Sequence, residues 1–206
     1  MQLQNHLVIF AKLPRLYKVK RRLGTEIGHV PALNFYRATL LALIRRIRRG
    51  AKWRTWLAIT PDSAVNRHDL WPRKLTCIAQ GTGDLGDRMA RAVKMLPPGK
   101  AIIIGSDIPD ITTRMIVQAF NQLNQADVVL GPAEDGGYWL IGLNKKARKF
   151  SIFKNIRWST SHVLKDTILN ISSDSKICYI DLLRDIDDGN AFFNWRKTHQ
   201  FQGGKI

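Results

Sequence analysis

Cysteine is scarce: Cys77 and Cys178 are the only two in 206 residues. Two thiols in a chain long enough to build its own core do not make a disulfide scaffold. Free, buried thiols in the cytoplasm are the reading they support. Long apolar runs are missing too, which excludes a membrane-spanning helix. No basic start followed by an apolar run and a small-residue cleavage site is present, so no signal peptide is expected. The five histidines, His6, His29, His68, His162 and His199, show no metal-ligand spacing and are expected on the surface or in the core. No Ser-His-Asp or Cys-His pattern stands out. Repeats, low-complexity tracts and Pro/Ser-rich linkers are also lacking, so a single domain over residues 1–206 is expected.

Acidic residues are few as well: 16 Asp and Glu face 33 Lys and Arg, for a net charge of +17. The cations cluster. One group runs Lys12, Arg15, Lys18, Lys20, Arg21, Arg22, and another runs Arg45, Arg46, Arg48, Arg49, Lys52, Arg54. Such a field attracts phosphates, nucleic acid or an acidic membrane surface, and charge does not choose among them. A nucleic-acid module would need exposed aromatics among the cations. Trp53 and Trp56 are the only candidates near a cluster, so nucleic acid ranks below a phosphorylated small molecule.

Apolar content is ordinary at 45%, and its pattern alternates. Strands are expected at Leu7–Phe10, Trp56–Ile59, Leu75–Ala79, Ala101–Ile104, Asp127–Leu130, Tyr138–Leu143 and Lys176–Ile180. Helices are expected at Leu33–Ile47, Gly86–Leu96, Thr112–Leu123 and Thr160–Asn170. This order predicts an α/β fold: three α/β/α layers around a mainly parallel sheet. Ligands in such sheets bind beyond the carboxyl ends of the strands.

Three strand ends carry unusual chemistry. Asp107, just past a buried strand and fixed between Gly105 and Pro109, suits a divalent cation such as Mg²⁺ bridging to phosphate. Asp110 could join it, but the following Ile111–Thr112–Thr113 reads as a helix start, and capping is preferred there. Asp185–Ile186–Asp187–Asp188 offers further carboxylates. Beside Asp107 they would repel by about 4 kcal/mol at ~4 Å unless a cation or a basic partner intervened. An exposed acidic turn is the equal alternative. Glu134–Asp135–Gly136–Gly137–Tyr138 joins two strands, with glycines that permit close backbone approach to a ligand or simply a tight turn. The loop Gln80–Gly86 leads into a helix but is no Walker loop, and Asp84 and Asp87 oppose anion binding there. The cation-dense loop Lys12–Arg22 could bind a diphosphate and stabilise it as a leaving group.

Taken in order, several stretches resemble a bacterial family of GT-A-type glycosyltransferases, some linked to arsenosugar biosynthesis and long catalogued as of unknown function. The matching stretches are Phe10 to Pro14 with Val19, Lys20, Arg22 and Leu23; Gly83 to Gly86 with Arg88 and Met89; Gly105 to Asp107 with Pro109; Leu130 to Tyr138; Leu140 to Leu143; Trp158 to Thr160; and Asp185 to Asp187. The resemblance implies the nucleotide-diphospho-sugar transferase superfamily, which also contains nucleotidyltransferases. It implies that Lys12, Lys20 and Arg22 bind a nucleotide-sugar or nucleotide donor. Asp84, Gly136, Gly137 and Tyr138 join them as substrate-binding candidates. It further implies that Asp107 and Asp187 hold Mg²⁺ or Mn²⁺, and that Glu134 and Asp135 face a small-molecule acceptor, one as base. The expected activity is metal-dependent glycosyl transfer; the alternative is joining an NMP to a phosphorylated small molecule. Three departures stand out: Leu16–Tyr17 replaces the family's Pro-Gly turn, Arg21 its Thr, and Ala191 a later acid.

Overall fold

The computed structural model describes residues 4–48, 52–67, 69–73 and 75–200, with the side chain of residue 200 left aside. His68 and Arg49, named above, lie outside the described residues. Seven strands form one sheet: β1 (His6–Lys12), β2 (Arg54–Thr60), β3 (Thr76–Ala79), β4 (Ala101–Ile104), β5 (Val128–Pro132), β6 (Tyr138–Leu143) and β7 (Ile177–Tyr179). Their order is β3-β2-β1-β4-β6-β5-β7. All neighbours are parallel except at β6, which runs antiparallel to both β4 and β5. The sheet is thus mainly parallel, as expected, with one reversed strand.

The helices are α1 (Arg21–Ile27), α2 (His29–Arg48), α3 (Leu85–Met95), α4 (Thr113–Gln122), α5 (Val163–Leu169) and α6 (Gly189–Gln200). Successive side chains on a strand point to opposite faces, and β1 shows the consequence. Leu7 and Ile9 pack with Leu40, Leu43 and Ile44 of α2 and Ile116 and Phe120 of α4. Val8 packs on the other face with Met89 and Val93 of α3, and Leu164 and Ile168 of α5 join that cluster. Three layers result. Fully burying each Leu or Ile contributes about 1.5–3 kcal/mol, so the continuous apolar runs in β1, β2 and β4 dominate the core.

Two expectations change here. Trp53 and Trp56 are each only 8% exposed. Trp53 stacks on Phe120, and Trp56 donates its indole N–H to His6 Nδ1 beneath the Arg54 guanidinium. They are core residues and offer no stacking platform for bases. Cys77 and Cys178 are free thiols, as expected, but both are only partly buried rather than buried. Among the described residues no helix is long and apolar enough to cross a membrane.

Candidate active site

Because β1, β4, β5 and β7 are parallel, their carboxyl ends share one rim. The reversal of β6 places the β5–β6 turn, Ala133 to Gly137, on that same rim. β7 continues through a parallel bridge between Ala133 and Leu183, which delivers Asp185 and Asp187 there too. The topology alone therefore gathers the Lys12 loop, Asp107, Asp135 and the late acidic run.

Lys20 links them. Its backbone sits in the left-handed region (φ 43°) immediately before α1. Its ammonium donates to Asp107 Oδ2 at 3.2 Å and to Asp187 Oδ1 at 2.6 Å, with the side chain 3% exposed. Burial alone would lower the Lys20 pKa; the two carboxylates overcome it and hold the pKa above its ordinary value. Asp187 is the mirror image: burial pushes it up, and the Lys20 ammonium brings it below the usual carboxylate range. At Asp185 the Lys20 charge acts in the same direction but is outweighed. Burial first, then the charges of Asp187 and Asp107, push its carboxyl up to about 7.

Two buried polar residues brace the strand ends beneath this cluster. The Tyr36 hydroxyl accepts from Lys12 N–H at 2.9 Å, donates to the Lys12 carbonyl at 3.1 Å, and shares a hydrogen bond with Ser106 Oγ at 3.1 Å. It thereby ties the end of β1 to the residue before Asp107. The Gln80 amide donates to the carbonyls of Ala11 and Ala58 at 3.2 and 2.9 Å, closing the gap between β1 and β2. Tyr36 lies within the helix expected over Leu33–Ile47, and its hydroxyl in an otherwise apolar stripe was the available signal.

Two cavities open on the rim and meet at Asp107. The first, about 580 Å³, is lined by Lys12, Lys18, Lys20, Arg21, Arg22 and Arg88, with Asp84, Asp107 and Asp187 among its acids. The second, about 370 Å³, is lined mainly by apolar and aromatic side chains together with Asp107, Asp135 and Asp185. Trp158 and Ser159 belong to both walls. Arg157, anchored to Asp166 through three donors at 2.7–3.1 Å, fixes the start of that segment.

The other expected residues fall into three groups. Lys12 and Arg22 line the cationic cavity; Arg22 is 76% exposed and its 4.0 Å pair with Asp188 is a loose surface contact. Asp135, Gly137 and Tyr138 line the apolar cavity. The Tyr138 hydroxyl is buried and burial raises its pKa, so the residue presents a neutral ring. Asp84 borders the cationic cavity, but its carboxylate accepts from Asp87 N–H at 2.8 Å as half of a capping box that starts α3. Two residues stand apart. Glu134 faces Arg184 at 3.5 Å and lines neither cavity. Gly136 (φ 85°) makes its close approach to the backbone of Ser161, where a Cβ would lie 2.3 Å from a carbonyl oxygen. Its tight turn serves the protein's own packing. Asp110 neither caps nor joins the cluster. Thr112 caps α4, and Asp110 accepts from Trp195 Nε1 at 3.2 Å and pairs with His199.

Asp185 is the residue that spacing did not single out. One oxygen each from Asp107, Asp185 and Asp187 lie within 4.8 Å of one another. Hard carboxylate oxygens suit Mg²⁺ or Mn²⁺, and a cation would relieve the repulsion that, after burial, raises the Asp185 carboxyl. The residues fit such an ion, with Lys20 as the competing cation.

The sequence profile of a bacterial family described as "Uncharacterized protein conserved in bacteria (DUF2064)" matches residues 43–160, more than half of the chain. The chain belongs to this family. Among solved structures, it is similar to a candidate nucleotide-diphospho-sugar transferase of Desulfovibrio desulfuricans G20, at 27% identity and a TM-score of 0.86, covering 98% of this chain and 91% of that one. Two others share the fold at lower identity. The 4-diphosphocytidyl-2C-methyl-D-erythritol synthase of Anaerococcus prevotii DSM 20548 is 12% identical, with a TM-score of 0.62 over 96% of this chain and 99% of its own. Rv0371c of Mycobacterium tuberculosis H37Rv, solved with manganese, is 12% identical, with a TM-score of 0.59 over 95% and 99%. No curated protein matches.

Within the DUF2064 chain, the Leu16–Tyr17 departure has a local explanation. Tyr17 adopts φ 62°, the conformation that a glycine would take without strain, and its ring packs edge-on against His29 with centroids 4.5 Å apart. The turn survives, with ring packing in place of glycine's freedom. Ala191 is 5% exposed, and its N–H donates to Asp188 Oδ1 at 2.8 Å at the start of α6. An acid is replaced there by a helix start.

Proposed function

We propose that this protein is a metal-dependent glycosyltransferase that takes a nucleotide-sugar donor. The observation that carries the reading is the 3.2 Å contact between Lys20, from the cationic first loop, and Asp107, from the end of β4, at the junction of two cavities. A diphosphate fits the cationic cavity, with Lys12, Lys20 and Arg22 as charge partners. The group to be transferred then reaches Asp107, and the acceptor enters from the apolar cavity. Asp107, Asp185 and Asp187 would hold Mg²⁺ or Mn²⁺, which supplies positive charge to the diphosphate oxygens as negative charge grows on them. Lys20 stabilises the same charge from the protein side. Asp135 is the base candidate in place of Glu134, since it alone of the pair lines the acceptor cavity.

Support comes also from the likeness to the D. desulfuricans protein and, for the metal, from the manganese-bound M. tuberculosis structure. Nucleotidyl transfer on the same fold is the second reading, favoured by the likeness to a CMP-2-keto-3-deoxy-manno-octonic acid synthetase solved with CTP. Calorimetric titration with a panel of sugar nucleotides and Mn²⁺ tests the first reading. Binding of at least one is expected; binding of none contradicts it. Release of pyrophosphate from an NTP would establish the second.

A further inference from the structure

The two cavities differ in charge more than a protein of net charge +17 would lead one to expect. The larger is lined by six Lys and Arg side chains. Among the described residues, the wall of the smaller, about 370 Å³, has no Lys, Arg or His, although it opens on the same rim. Its charged residues are all acids: Asp107, Asp135 and Asp185. The rest of the wall is apolar and aromatic, with Phe10, Met89, Ile141 and Trp158 among it. A phosphate or carboxylate placed there would meet like charge and no donor cation. A metal ion on Asp107 and Asp185 would neutralise part of this, but Asp135 would remain as an acid in the wall.

We infer that the smaller cavity takes an acceptor with an apolar face and a hydroxyl or amine as its nucleophile, carrying no phosphate or carboxylate. The inference rests on the proposed function and names its second substrate class. In the transfer, the acceptor oxygen or nitrogen forms a bond to the anomeric carbon of the donor sugar. The bond from that carbon to the diphosphate oxygen breaks, and its electron pair leaves with the nucleoside diphosphate. The acceptor's proton passes to the Asp135 carboxylate. An acceptor bearing a phosphate, as the nucleotidyl-transfer reading requires, does not suit this wall.

The test uses the full-length, metal-free and donor-free protein, labelled with ¹⁵N, at pH 8. The Trp158 indole resonance, assigned by its loss in Trp158→Phe, reports the cavity. Phenethylamine, phenethyl alcohol and phenylacetate serve as probes of one shape and three charges. The amine or the alcohol, or both, shift the resonance saturably, and phenylacetate binds at least about tenfold more weakly, as Coulomb repulsion by a nearby carboxylate requires. In Asp135→Asn the amine loses severalfold in affinity relative to the alcohol. Phenylacetate binding as tightly as the amine, no shift from any probe, or unchanged amine binding in Asp135→Asn overturns the inference. Because no nucleotide is present, this outcome is independent of whether a sugar nucleotide binds the larger cavity.

Discussion

Lys20 stands between Asp107 and Asp187, its ammonium 3.2 Å from one carboxylate and 2.6 Å from the other. In the absence of a metal it does the neutralising that a cation would do. Under the proposed function, it would turn toward the charge of a bound diphosphate.

Replacing Lys20 by Met tests that double use. Charge-assisted hydrogen bonds contribute about 1.5–3 kcal/mol, so nucleotide affinity falls roughly 10- to 100-fold by calorimetry. The carboxylates left behind are 42% and 53% exposed, and water screens them. The melting temperature therefore shifts by less than about 5 °C. Unchanged nucleotide affinity would remove Lys20 from the donor site.

If the aspartate cluster holds the proposed metal, Asp185 makes its binding depend on pH. Its folded-state pKa lies above the ordinary carboxylate value, at about 7. The folded metal-free protein therefore carries an extra proton between about pH 4 and 7, and its stability declines as pH rises through that window. An ion must displace this proton. Apparent Mn²⁺ affinity thus rises with pH up to about 7 and weakens by up to ~tenfold per unit below it. Titrations of wild type and Asp185→Asn at pH 6 and 8 measure this; the variant binds more weakly and loses the slope.

Asp166 behaves oppositely. The hydrogen bonds from Arg157 hold its carboxyl well below the usual range. The stability it contributes is present at neutral pH and is lost as pH falls through and below the ordinary carboxylate value. Melting temperature drops more steeply between about pH 5 and 2 in wild type than in Asp166→Asn. Parallel curves would show that the Arg157–Asp166 clamp does not steady the Trp158 segment.

Tyr36→Phe removes the hydroxyl that joins Lys12 to Ser106. The variant is destabilised by about 1–3 kcal/mol, because partners are left unsatisfied in a part-buried setting. A chemical-denaturation midpoint equal to that of wild type would contradict the bracing role.

The fold was legible where the physics is local. Continuous apolar runs marked all seven strands within one or two residues, and the 3.6-residue stripe marked α2. It began four residues earlier than expected, at His29. Helix α1 was hidden because only Leu23 and Gly24 are buried in it, so no stripe forms. Its Gly24 reads as a breaker, yet a Cβ there would lie 2.3 Å from the His29 ring. Helix α6 was hidden for a similar reason: it meets α2 through two aromatic contacts, Phe192 and Trp195 on Phe35, and Asp110 through Trp195 and His199, all of which depend on tertiary packing.

The candidate site was legible in part. Strand-end rules brought Lys20, Asp107 and Asp187 together from positions far apart in the chain. Choosing Asp185 as the third carboxylate required knowing that Ile186 is buried at 3% exposure, which leaves its two neighbours at the rim. Separating Asp135 from Glu134 required the direction of each side chain, which no spacing contains.

The most direct measurement is ³¹P relaxation of a bound nucleotide diphosphate in the presence of Mn²⁺. The account predicts that both phosphorus nuclei relax strongly with wild type, as an ion held by the aspartate cluster beside the diphosphate would require, and that the effect disappears with Asp107→Ala. Strong relaxation that persists in Asp107→Ala, or none in wild type at saturating nucleotide, would contradict the account.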